Sequence, residues 1–339
     1  FAQIHLVDDG DKTNPLWEPV RMARDAGRTQ PFNPGMGHFI CLDGFGSPSA
    51  EERKAGMMFH GEAHRQIYKT LPSTAGGQGI SVSLTASLPL AQESFTRTIR
   101  LTPGENVVLV ESELESLVSF DRPISWAEHG TVGAPFLEPL ETIVNLSGTR
   151  SRTRPYDRVA EGGMQRRVAS AREFNYPLAP GLEGGEIDMR VVPANPRYRD
   201  HYATLVSKDR PYGWITALQR KKRLILGYIF SNTDFPWVQH WGDYPPSGTL
   251  ARGLEFSTQP FDIPRRDAVT MSSLFETPTY RWLPAKSKIT TRFLMFYARV
   301  PEGLQNVDDV RFEGGNIVVE DRSAKRTLTL KSTFNVNVP

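Results

Sequence analysis

The chain is poor in cysteine, in long apolar runs and in any excess of one charge. Its single cysteine, Cys41, excludes an internal disulfide and any zinc site built from several thiolates. No run approaches the ~18 apolar residues of a membrane-crossing helix. Forty lysines and arginines face 38 aspartates and glutamates, for a formal charge of +2. A dedicated nucleic-acid binder carries a strong basic excess instead, so neither nucleic acid nor membrane is an expected partner. The opening residues, FAQIHLVDDG, lack the charged start and apolar stretch of a signal peptide. They read as a strand (Phe1, Ile4 and Leu6 apolar) running into a turn. The compartment, cytoplasmic or periplasmic, stays open. Glycine-rich phosphate loops, dinucleotide fingerprints, G-x-S-x-G elbows and fixed-period repeats are missing too.

What is present is a globular composition, 39% hydrophobic and 23% charged over 339 residues, ample for a large core. Most of it reads as strands. ISVSLTASLPL (80–90) alternates apolar and small polar residues, and 94–116 holds two strands around Pro103-Gly104. WITALQRKKRLILGYIF (214–230) reads as a hairpin about a basic turn, and residues 288–300 and 316–338 continue the pattern. Helix is scarce: 49–57 and 303–310 could each supply a turn or two. The longest irregular stretch runs from about 145 to 200. Arg150, Arg152, Arg154 and Arg158 within it could grip a phosphate or simply meet solvent. Twenty-eight glycines and 26 prolines punctuate the strands. The expected architecture is all-β, one large antiparallel β-sandwich domain spanning residues 1–339.

Three polar constellations stand out. FHGEAH (59–64) places His60 and His64 four apart, the spacing of a helical zinc pair, but Gly61 stands where the zinc proteases carry glutamate. Glu62 comes one residue late and Gly61 weakens the helix, so no metal is expected. SWAEHGTVGAPF (125–136) sets His129 between Trp126 and Glu128 on one side and a small-residue turn on the other. A histidine there suits proton transfer near neutral pH, or it caps the strand. FPWVQHWGDY followed by GLEFSTQP groups Trp237, Trp241 and Tyr244 with Gln239, His240, Asp243 and Glu255. Aromatic faces stack on pyranose rings while amides and carboxylates bind hydroxyls, the makings of a small-ligand cleft. The aromatics could equally be core.

Together, FHGEAH, AEHGTVGAPF and GLEFSTQP resemble, in order and spacing, the motifs of the aldose 1-epimerase (galactose mutarotase-like) superfamily. The resemblance implies a β-supersandwich with a groove on the concave face of one sheet. It implies Glu255 as general base, His129 as the acid at the ring oxygen, and His60 as a hydrogen-bonding partner, with no cofactor. His64, Glu128, Trp126, Gln239, Trp241 and Asp243 are the expected substrate contacts, and a small carbohydrate the expected partner. This chain departs from the family where Gly130-Thr131-Val132 follows the histidine and where LEFSTQ is stretched. A non-catalytic carbohydrate-binding protein, a lyase or hydrolase relative, and a metal held by His60, His64 and His129 are the alternatives.

Overall fold

The computed structural model describes all residues except 26, 30–34, 78, 157–163, 247–248 and 337–339. Two antiparallel sheets face each other. The first has seven strands, in the order His38–Cys41, Ala127–Gly133, Ala251–Ser257, Trp237–Tyr244, Tyr198–Val206, Gly148–Thr153 and Glu173–Asn175. The second has nine strands, among them Gly79–Leu88, Glu93–Leu101, Val107–Ser116, Lys288–Arg299, Leu224–Ser231 and Tyr212–Gln219. The all-β sandwich expected from the sequence is what forms.

Burial explains why the strands of the two sheets read so differently. Leu224, Leu226, Tyr228 and Phe230 point into the core between the sheets, against Leu254, Phe256 and Val238 of the opposite sheet. Phe230 and Phe256 stack across this gap at 4.3 Å. Ile225 and Ile229, on the other face, meet a small sheet of strands Asp309–Glu313, Asn316–Asp321 and Arg326–Lys331 through Val310, Ile317 and Val319. With both faces covered, that strand is apolar throughout. Each fully buried side chain of this size contributes roughly 1.5–3 kcal/mol. The seven-stranded sheet turns one face to this core, where Leu254, Phe256 and Val238 are joined by buried polar residues such as Glu128 and His38, while His129, Glu255 and Gln239 lie on the other face.

The hairpin at 214–230 and the turn at Pro103-Gly104 lie where the sequence puts them. Ala50–Lys54 is a short helix, closed by a capping box between Ser49 and Glu52. Three expectations fail. Residues 303–310 contain no helix among the described residues, and Asp309 already begins a strand. Short helices form instead at Pro19–Asp25 and Arg265–Met271. The first six residues join neither sheet; Phe1 and His38 exchange backbone hydrogen bonds, and Asn14 holds the segment by its side chain. The stretch 145–200 is less irregular than its composition suggests, holding four short strands between 148 and 188 and the start of a long one at Tyr198. Arg158 lies outside the described residues.

Candidate functional site

Strand parity builds the site. On Ala127–Gly133, odd-numbered residues face away from the core, so His129 and Thr131 share a face, while Glu128 and Gly130 turn inward. The same parity puts Gly253 and Glu255 on the outer face of Ala251–Ser257, and Gln239 and Trp241 on that of Trp237–Tyr244. Register does the rest. Phe39 lies opposite His129, His129 opposite Glu255, Glu255 opposite Gln239, and Trp241 opposite His201. One row of side chains thus crosses four neighbouring strands, about 4.8 Å apart. It forms the floor of a cleft of about 330 Å³, walled by Trp17, Phe59, His60, His64, Arg65, Thr131, Arg199, His201, Trp241 and Asp262.

The FHGEAH segment forms one wall by clamping onto residues 42–46. Leu42 O accepts from the amides of Glu62 and Ala63, and His60 and Gly46 exchange two hydrogen bonds. His60 and Gly61 both take left-handed backbone angles, φ 64° and 76°, costing about 1–2 kcal/mol at the non-glycine residue. A Cβ on Gly61 would lie 2.7 Å from the Leu42 carbonyl, so the glycine serves chain packing. Glu62 turns into the protein, where its carboxylate accepts from the amides of Leu90 and Ala91 at 3.3 and 2.8 Å. It anchors the loop and does not reach the cleft.

Hydrogen bonds fix the ring states. The Gly46 amide donates to His60 Nδ1 at 3.1 Å. The Arg154 guanidinium stands 3.2 Å from His201 Nδ1 and can only donate. Both rings therefore carry their proton on Nε2. Arg154 is itself paired with Asp262. On the floor, His129 Nε2 lies 3.3 Å from Glu255 Oε1, and Gln239 Nε2 donates to Glu255 Oε2 at 2.8 Å. His129 Nδ1 meets Thr131 Oγ1 at 2.9 Å, and Phe39 stacks on the imidazole at 4.4 Å. Five buried polar atoms of the described cleft residues lack a hydrogen-bond partner: His64 Nδ1, His201 Nε2, Gln239 Oε1, Glu255 Oε1 and Asp262 Oδ1, the last ion-paired with Arg154. Elsewhere such atoms are destabilising; gathered in a cleft, they are places for a ligand's polar groups.

Burial governs the titration here. It lowers His64 to about 4 and His129 to about 3, and drives His60 and His201 well below the usual histidine value. It raises Glu255 well above the ordinary carboxylate range, helped by Asp262, and Asp262 to about 6. Including His38, lowered to about 4, and His240, six of the seven histidines resist protonation in the fold. An unfolded histidine takes a proton below about pH 6.5. Acidification from pH 7 to 5 therefore feeds the unfolded state, while Glu255 and Asp262 oppose this by holding protons in the folded state. With the histidines in the majority, the melting temperature is expected to fall over that range. Each net proton contributes about 1.4 kcal/mol per pH unit. Circular-dichroism melts at pH 7, 6 and 5 check this, and a flat or rising series would refute it.

Of the residues expected from sequence, His60, His64, His129, Gln239, Trp241 and Glu255 converge on the cleft. Trp126 and Glu128 do not. Trp126 is fully buried between the sheets and donates to Glu128 at 3.0 Å, while Glu128 joins Arg97 and His38 in the interior. Asp243 is on the outer face but beside the cleft, holding Arg199 at 2.9 Å. Trp237 and Tyr244 are core, and His240 stacks on Tyr202 behind the sheet. His201, Thr131, Arg199 and Asp262 were missed, and Arg154, read as one of four arginines for a phosphate or solvent, pairs with Asp262 and His201 instead. Parity alone, counted outward from His129 and Gln239, would have removed Glu128 and His240; nothing local marks Asp262. Arg150 goes to Glu276 and Phe275 at the surface. Among the described residues, no group of three or more acidic, histidine or cysteine side chains has the arrangement to hold a metal ion.

No family model and no curated protein matches the chain. Solved structures do. A proposed aldose 1-epimerase of Klebsiella pneumoniae superposes with a TM-score of 0.58 at 12% identity, over 79% of this chain and 64% of that one. This chain thus spans under two thirds of the Klebsiella protein's length. A galactose mutarotase related enzyme of Lactobacillus acidophilus gives 0.52 at 11% identity, covering 89% and 90%. A galactose mutarotase-like protein of Lactobacillus casei gives 0.51 at 11%, covering 85% and 90%. The chain has the galactose mutarotase-like fold, as its three motifs suggest.

Proposed function

We propose that the cleft binds a sugar ring and interconverts the anomers of a free aldose or aldose derivative by acid/base catalysis. The observation that carries this reading is the contact between His129 and Glu255, 3.3 Å apart on neighbouring strands. The fold of the structural neighbours supports a carbohydrate ligand. Trp17, Phe59 and Trp241 offer faces for the apolar side of a pyranose, and His60 and His201 direct N–H groups to its hydroxyls.

The His129–Glu255 pair holds one transferable proton. Burial favours its neutral arrangement, a carboxylic acid beside an imidazole, since ionising both in a cleft this deep is costly. Gln239 donates to Oε2, leaving the acid proton to Oε1. With Nδ1–H directed to Thr131, His129 Nε2 is free to accept. Nε2 takes the proton of the anomeric hydroxyl as Oε1–H protonates the ring oxygen. The C1–O5 bond breaks and C1 becomes an aldehyde carbon. A half-turn about C1–C2 presents its other face, and closure returns both protons. These roles are the reverse of those the family resemblance implies for the resting enzyme.

Gly253 gives a focused test. An alanine Cβ there would lie 2.1 Å from Glu255 Oε1, the mobile end of that side chain. Gly253→Ala is expected to swing the carboxyl aside and slow anomer exchange by about 10²-fold, the cost of a misplaced catalytic group. The melting temperature should hold, because alanine suits a strand at least as well as glycine. Saturation-transfer NMR on a panel of aldoses, with a parallel melt, decides it. Unchanged exchange would mean that the Glu255 position is immaterial.

A further inference from the structure

We propose that the sugar derivative carries an anionic group, a carboxylate or a phosphate, bound at the mouth of the cleft between Arg65 and Arg199. This rests on reading the cleft as a sugar site. Arg65 is exposed at that mouth, and none of its side-chain nitrogens is hydrogen-bonded or ion-paired among the described residues. Arg199 lines the same cleft, and its strand position opposite Asp243 lets that carboxylate hold Nε at 2.9 Å. Its two terminal amino groups make no hydrogen bond among the described residues and remain for a forked acceptor. Arginine's planar donors match carboxylate and phosphate oxygens two at a time.

Asp243 answers Arg199 in part, but no other acid nearby answers these charges, and none meets Arg65 among the described residues. Asp262 is paired with Arg154, and Glu255 lies on the floor with a side chain only 1% exposed. Glu62 is turned inward to the amides of Leu90 and Ala91. The mouth is therefore cationic while the floor holds a neutral acid/base pair. A neutral aldose would occupy the floor and leave the Arg65 guanidinium and the two terminal amino groups of Arg199 without an acceptor. An aldose with a negative substituent away from C1 places its ring over Glu255 and its charge at the mouth.

The test compares a hexose, its 6-phosphate and the corresponding hexuronate, with binding read by calorimetry and anomer exchange by saturation-transfer NMR. At least one charged sugar is expected to bind about tenfold or more tightly than the hexose. That advantage should shrink in 0.5 M salt and fall about tenfold in Arg65→Ala and in Arg199→Gln. Whichever charged sugar binds tighter distinguishes phosphate from carboxylate. Equal or better binding of the hexose overturns the anionic class while leaving catalysis standing if the hexose is exchanged. Tight binding of a charged sugar without exchange upholds the anionic class and overturns catalysis. If none of the three binds, the anionic class is overturned.

Discussion

Glu255→Gln is expected to slow anomer exchange by about 10²–10⁴-fold, the usual contribution of a positioned acid or base, while the protein stays folded. The amide keeps the shape of the side chain and can still accept from Gln239, but it has no acid proton to deliver. Stability should not suffer, because the carboxyl is buried and its ionisation already suppressed by burial. The wild-type rate should fall as pH rises through the raised Glu255 pKa, since the pair then loses its one shared proton. That limb of the profile should vanish in the variant. Exchange measured by saturation-transfer NMR, with circular dichroism for folding, checks both. A variant of wild-type rate would sink the acid/base role, and sugar affinity without turnover in the wild type would leave a binding module.

Glu128→Ala, one residue away from His129, is expected to do something quite different. Glu128 is fully buried and accepts from Arg97, from Trp126 Nε1 at 3.0 Å and from His38 Nε2 at 3.0 Å. Burial works to raise its carboxyl, but Arg97 and then His38 and Trp126 bring it below the ordinary range. Arg97 also reaches Ser112, and His38 reaches Tyr228, so the network ties the two sheets together. Deleting the carboxylate leaves a guanidinium uncompensated in the interior, typically a loss of about 3–5 kcal/mol. Urea unfolding measures it. A loss under about 1 kcal/mol would show that the network adds little to stability. The contrast with Glu255→Gln separates the two faces of one sheet.

The same two faces explain how much of this protein was legible without coordinates. The strands announced themselves, because alternation and apolar runs are local consequences of half or full burial. The Leu224–Ser231 strand is apolar at nearly every position since both its faces are covered. His60, His129 and Glu255, which line one cleft, were singled out through short motifs whose residue types are those that acid/base chemistry needs. Trp126 and Glu128 were misplaced because proximity in sequence was read as proximity in space, whereas a strand sends neighbours to opposite faces; Asp243 shares the outer face but is taken up by Arg199.

By itself the sequence determined the all-β class, the strand pairs joined by short turns, and the chemical types available to a site. FHGEAH could be read as a polar loop that is no zinc helix, for its glycine and its glutamate sit in the wrong places. Tertiary structure alone decided which of those residues meet. Register between strands more than a hundred residues apart brings Glu255 opposite His129. The backbone of residues 42–46 fixes His60, Arg154 sets His201, and Asp262 comes in from the turn after Gln259. Such pairings are chosen by the fit of a whole core, which no local stretch of sequence encodes.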